Sequence, residues 1–115
     1  GTDGRAIRLG DRLMSMTLSQ FLDSLEDVIP PPGLEPALEA LWWAGGKDFA
    51  LAHEIVQRHE GEPDCDWVHA WLHRKEGDQA NARYWYRRAG RSPRHGPVEE
   101  EWRAIATALL AGSGY

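Results

Sequence analysis

The chain has 115 residues, 42% of them hydrophobic and 27% charged, with a formal net charge of −5 and six tryptophans. That balance suits one soluble globular domain rather than a disordered chain, and no apolar run approaches the roughly 20 residues of a membrane span. A lone cysteine, Cys65, cannot close an internal disulfide, and no basic segment followed by an apolar stretch opens the chain as a secretory signal would, so a cytoplasmic location is expected.

Residues 1–15 show no sustained hydrophobic period and are rich in Gly, Asp and Arg, which predicts a flexible N-terminal arm ahead of a single helical domain over 16–115. Thr17 and Gln20 stand at capping-box spacing, and Met16 and Phe21 at the positions of a hydrophobic staple. Leu18, Phe21, Leu22, Leu25, Val28 and Ile29 then recur at helical spacing, until Pro30-Pro31-Pro32-Gly33 stops the helix. A second helix starts near Pro36 and runs through Leu38, Leu41 and Trp42 to Gly45-Gly46. Asp48 is placed to cap a third, with Leu51, Ala52, Ile55 and Val56 on its apolar face and an end near Gly61. Asp64 is placed to cap a fourth, through Trp67, Val68, Trp71 and Leu72 to Gly77, and Asp78 a fifth that ends at Gly90. The last helix, VEEEWRAIATALLAG, opens with three glutamates where the helix dipole favours negative charge. No alternating run of β-branched residues occurs, so the fold class is all-α, with about six helices stacked as antiparallel hairpins.

The middle four helices read as two copies of one unit at an offset of 30, which places Asp48 on Asp78, Ala40 on Ala70, Ala52 on Ala82 and Leu41 on Trp71. GDQANARYWYRRAG resembles the second half of tetratricopeptide repeats and their Sel-type relatives, with Gly77-Asp78 as the turn and Ala82, Tyr86 and Ala89 as small, aromatic and small packing residues. The resemblance covers residues 34–93 and implies two hairpin units, with the first and last helices as caps. The first helix of each unit departs from the usual tryptophan and leucine–glycine pattern, and Val56 stands where Tyr86 has its counterpart. WVHAWLHRKEGDQANARYWYRRAG is also similar to a small family of bacterial proteins, a resemblance that implies no activity.

Charge is separated along the chain. Asp23 to Asp66 contains eleven acidic residues against Lys47 and Arg58, a balance of −9, whereas Arg74 to Arg94 holds seven basic residues against Glu76 and Asp78, a balance of +5. Such asymmetry marks a face for an oppositely charged partner, or two halves that answer each other within one domain. Arg83, Arg87 and Arg91 are spaced one helical turn apart beside Tyr84, and forked guanidinium donors at that spacing grip carboxylates or phosphates. Trp67 and Trp71 lie one turn apart and lead into Arg74 and Lys75, which predicts a groove with a basic end for a peptide or for self-association. Trp42, Trp85 and Trp102 keep register with other apolar residues and are expected in the core. The expected function is a non-enzymatic protein-interaction module with an acidic protein or peptide partner, or a homodimer. Nucleic acid is disfavoured by a sequence pI of about 5.5.

The alternative is a metal-binding protein or metal-dependent hydrolase. His69, His73 and Glu76 form H-x-x-x-H-x-x-E and fall within roughly 60° of one another on a helix, opposite Trp67 and Trp71. Histidines at i and i+4 can hold one ion, and a glutamate one turn on can supply a third ligand. Ala70 stands where the H-E-x-x-H proteases carry their glutamate, and His53, His59 and Cys65 are distant candidates that spacing alone cannot bring near. The competing reading is a polar face or packed, hydrogen-bonded histidines. No phosphate loop, dinucleotide fingerprint or nucleophile elbow is present, and Asp64 and Asp66 beside Cys65 oppose a thiolate, so neither a cofactor nor an enzymatic reaction is expected.

Overall fold

The computed structural model describes residues 16–112, and the expected flexible arm over 1–15 lies outside them. Six helices and no strand occur among the described residues: α1 (Leu18–Ser24), α2 (Pro36–Ala44), α3 (Phe49–Arg58), α4 (Pro63–Lys75), α5 (Gln79–Ala89) and α6 (Val98–Gly112). None of these is long and apolar enough to cross a membrane.

Side-chain caps set three of the six starts. Thr17 Oγ1 accepts from Gln20 N at 3.1 Å while Gln20 Oε1 accepts from Thr17 N at 2.9 Å, the reciprocal box the sequence predicts. Asp48 Oδ1 accepts from Leu51 N at 3.0 Å, and Asp78 Oδ1 from Asn81 N at 3.2 Å. At the end of α5, Gly90 adopts the left-handed conformation, φ 74°, that lets a chain leave a helix without a Cβ clash.

Two boundaries differ from expectation. α4 begins at Pro63, so Asp64 lies inside the first turn; Glu62 is the cap residue, its side chain bonding no amide of the first turn, and Asp66 Oδ1 accepts from Gly61 N instead. Proline suits that first position because the N–H it lacks would have no helical partner there. α1 stops at Ser24, and Val28 and Ile29 are 85% and 67% exposed rather than part of its apolar face. Pro30 disfavours helical backbone at Ile29, and the three prolines remove the amides that would bond back to Glu26, Asp27 and Val28, so the stretch after Ser24 closes only as a turn, with Asp27 N donating to the Ser24 carbonyl at 2.9 Å.

α2 packs along α3 and α4 along α5, and α4 also touches α2, α3 and α6, which makes it the central helix. Both hairpins close alike: Asp48 N donates to the Trp43 carbonyl at 2.9 Å, and Asp78 N to the His73 carbonyl at 2.8 Å, with donors and acceptors each 30 residues apart. Ala40, Ala52, Ala70 and Ala82 are all buried, small residues that let the paired helices approach. Trp42, Trp85 and Trp102 lie in the core as the spacing predicts.

The expected groove of Trp67, Trp71, Arg74 and Lys75 does not form. Trp67 is 7% and Trp71 2% exposed, because α6 lies over the face they were expected to present: Trp71 Nε1 donates to the Val98 carbonyl at 2.8 Å. Arg74 is buried too, with Nη1 donating to Glu101 Oε1 at 2.8 Å and Nη2 to the Gly96 carbonyl. Tyr86 completes this network, its hydroxyl 2.6 and 2.8 Å from the two Glu101 oxygens. Of the four residues only Lys75 reaches solvent, 3.8 Å from Glu99. Glu101 therefore serves as a buried counter-charge rather than only as a dipole partner at the start of α6.

Candidate metal centre

The hairpin stack lays α3 against α4, and this brings His53 onto the pair His69 and His73. One turn of α4 separates His69 from His73, so their rings stack at 5.0 Å with planes 19° apart. Trp85 of α5 closes the other side of His69, its ring 3.9 Å away and 17° from parallel. His53 meets both α4 rings edge-on, at centroid distances of 4.8 and 4.9 Å. One ring nitrogen from each histidine lies within 4.8 Å of the others.

The nearest pair is His53 Nε2 and His69 Nε2, 3.0 Å apart. Neighbouring ligands of a tetrahedral ion with bonds of about 2.1 Å stand roughly 3.4 Å apart, so small ring rotations bring this pair onto one ion. His73 holds its Nδ1 2.9 Å from Glu76 Oε1, which leaves Nε2 as the ligating atom. A carboxylate on the far nitrogen of a histidine fixes its tautomer and raises its basicity, the usual outer partner of a metal-bound imidazole. Glu76 thus stands behind His73 rather than beside it: the expected ligand trio of His69, His73 and Glu76 is replaced by His53, His69 and His73.

Burial keeps His69 and His53 in the form that binds metal. His69, 2% exposed, has its pKa pushed down to about 3, first by desolvation and then by the nearby His53 and His73. His53 is half-buried and shifted down as well, by desolvation and by His73, with Glu76 opposing. His69 Nδ1 is buried without a hydrogen-bond partner among the described residues. A buried unpaired polar atom costs about 1–3 kcal/mol, and an apolar side chain between Trp85 and His73 would avoid that cost.

A second grouping, His73 with Glu76 and Asp78, shares one histidine with the first. It is the poorer nest. Asp78 already accepts from Asn81 through both oxygens as the α5 cap, and it stands 3.8 Å from His73 Nδ1. The other distant candidates turn elsewhere. His59 Nδ1 lies 3.0 Å from Glu62 Oε2, and the buried Cys65 thiol points to Glu62, with its pKa pushed up to about 12 by burial and by Glu62, Asp64 and Asp66.

The arginines on and just past α5 stay outside. Arg83, Arg87 and Arg91 are exposed; Arg87 lies over the Tyr84 ring at 5.8 Å, and Arg91 covers the otherwise buried Trp67 at 3.4 Å. His53 is the member that spacing could not assign, since 16 residues and a helix-to-helix packing step separate it from His69. The usable signal was topological: in stacked hairpins the helix before α4 packs along it, so its histidines are the first to consider. Comparisons with protein families, curated proteins and solved structures return no match for this chain.

Proposed function

We propose that this protein binds a divalent transition-metal ion, zinc by preference, through His53, His69 and His73. The observation that carries the reading is the convergence of three imidazoles from two helices, with Glu76 bonded to the outer nitrogen of one. Three imidazole nitrogens suit zinc and its neighbours rather than magnesium or calcium, which prefer oxygen. Three protein ligands leave a fourth position for water or an exogenous ligand. The role proposed is binding, with no reaction assigned.

The test is metal analysis of protein purified without a histidine tag, followed by cobalt(II) titration read by its tetrahedral absorption bands. One ion per chain is expected in the wild type and none in His53→Ala or His73→Ala. Glu76→Gln, which keeps all three ligands, should weaken binding by about 10–100-fold. Absence of metal after purification together with no cobalt spectrum overturns the proposal.

Partner binding remains the second reading, and the exposed α5 face supports it in place of the tryptophan groove. Arg83 and Arg87 project from successive turns of α5 and Arg91 follows just past its Gly90 cap, and Tyr84 among them is 41% exposed, one of few large hydrophobic side chains left open among the described residues. An acidic peptide is the partner such a row would take. A glutamate-rich peptide that binds the wild type and the Arg83→Glu/Arg87→Glu variant equally well would remove this reading.

A further inference from the structure

On the side of α4 opposite the histidines, Trp71 and Lys75 border a solvent-open cavity of about 640 Å³. Small-molecule clefts are apolar hollows of roughly 300–1,000 Å³ with a few placed polar groups, and this one fits that description. Leu22 of α1, Leu25 just past its end, Phe49 of α3, Trp71 of α4 and Trp102 of α6 supply apolar wall. Both indoles are held in place from behind: Trp71 Nε1 donates to the Val98 carbonyl at 2.8 Å and Trp102 Nε1 to the Leu41 carbonyl at 3.0 Å. With those N–H groups engaged, neither ring has a donor left for a ligand.

The charged groups at the border divide unequally. Asp48 is engaged as the α3 cap, accepting from Leu51 N, and Glu99 lies 3.8 Å from Lys75, with three-quarters of its side chain exposed. Lys47 donates to the Asp27 carbonyl. Arg103, also exposed at the border, forms no ion pair among the described residues. An apolar wall rejects sugars and nucleotides, whose hydroxyl and amide groups would be left unpaired against it. A free guanidinium beside that wall selects an acid over an amine, because its fork matches a carboxylate.

We propose that this cavity binds an aliphatic carboxylate, with its chain against Leu25, Trp71 and Trp102 and its head group on Arg103 and Lys75. The inference is independent of the metal centre. About 200° of helix separates Trp71 from His69, so the two sites use opposite sides of α4 and neither shares a side chain with the other.

Decanoate titrated into the full chain tests the proposal, read by the indole N–H resonances in a heteronuclear NMR spectrum. Saturable shifts are expected at Trp71 and Trp102 and not at Trp85. Decanol, which has the same chain without the charge, should bind about tenfold more weakly, and Arg103→Met should abolish that difference while leaving the fold intact. Ala44→Phe should block both probes by filling the cavity; if it unfolds the protein, Arg103→Met alone carries the test. No saturable shift with decanoate overturns the proposal. Equal binding of decanol and decanoate overturns the assignment of an acid, and saturation only by an apolar helical peptide would assign the cavity to a partner protein instead.

Discussion

His69 is the residue at which burial and chemistry conflict most. It is an ionisable ring set between two other rings, with one nitrogen facing His53 and the other without a partner among the described residues. Its folded pKa of about 3 lies below the 6.5 of a free histidine, so between those values the unfolded chain holds a proton that the native chain does not. Stability should therefore be complete above pH 6.5 and fall as the pH drops toward 3, by at most about 1.4 kcal/mol per unit for this group. His53 is shifted in the same direction and adds to the slope. Urea unfolding of metal-free protein at pH 7 and pH 5 checks this: the midpoint should be lower at pH 5, and His69→Leu should shrink the difference. The α4 pair was legible in the sequence because i and i+4 positions share a helix face, whereas His53 was not assignable because its approach depends on packing between helices.

At the scale of elements, local chemistry decides where helices begin. Asp48 and Asp78 each accept from the amide three residues on, and in the same turns their own amides close the two hairpins. Asp48→Ala and Asp78→Ala should each destabilise the fold by about 1 kcal/mol, measured by chemical denaturation, with Asn in either place largely restoring it. Most caps were readable because a cap is a contact between residues three apart. The end of α1 was harder: Val28 and Ile29 keep the helical period but run straight into three prolines, which restrict the residue before them and cannot donate the amides that would continue the helix. Periodicity reports which side chains would share a face if the helix continued, and says nothing about whether its hydrogen bonds can form.

Across the whole molecule, α6 decides which surfaces exist. It accepts the Trp71 indole at Val98, and through Glu101 it neutralises Arg74 and binds Tyr86, so Trp67, Trp71 and Arg74 of a row that reads as an amphipathic groove are buried and only Lys75 stays exposed. Trp71→Ala should accordingly cost about 3–5 kcal/mol, a large share of the 5–15 kcal/mol typical of a domain, and show as a marked loss of thermal stability. Arg74→Met, which strands the Glu101 carboxylate, should be similarly damaging, and the double change with Glu101→Leu should recover part of the loss. A Trp71→Ala protein that melts like the wild type would contradict this packing.

Length, helical period, proline and glycine punctuation and aspartate caps are determined within a few neighbouring residues, and from them follow the helical class, the number of helices and the approximate boundaries. Tryptophan excess and charge asymmetry were equally visible, but their destinations were not. Whether Trp71 and Arg74 meet solvent, and whether His53 meets His69, depends on contacts 16 to 27 residues apart along the chain. Tertiary structure alone decides these, because burial and pairing belong to the surface that another helix presents and not to the residue itself.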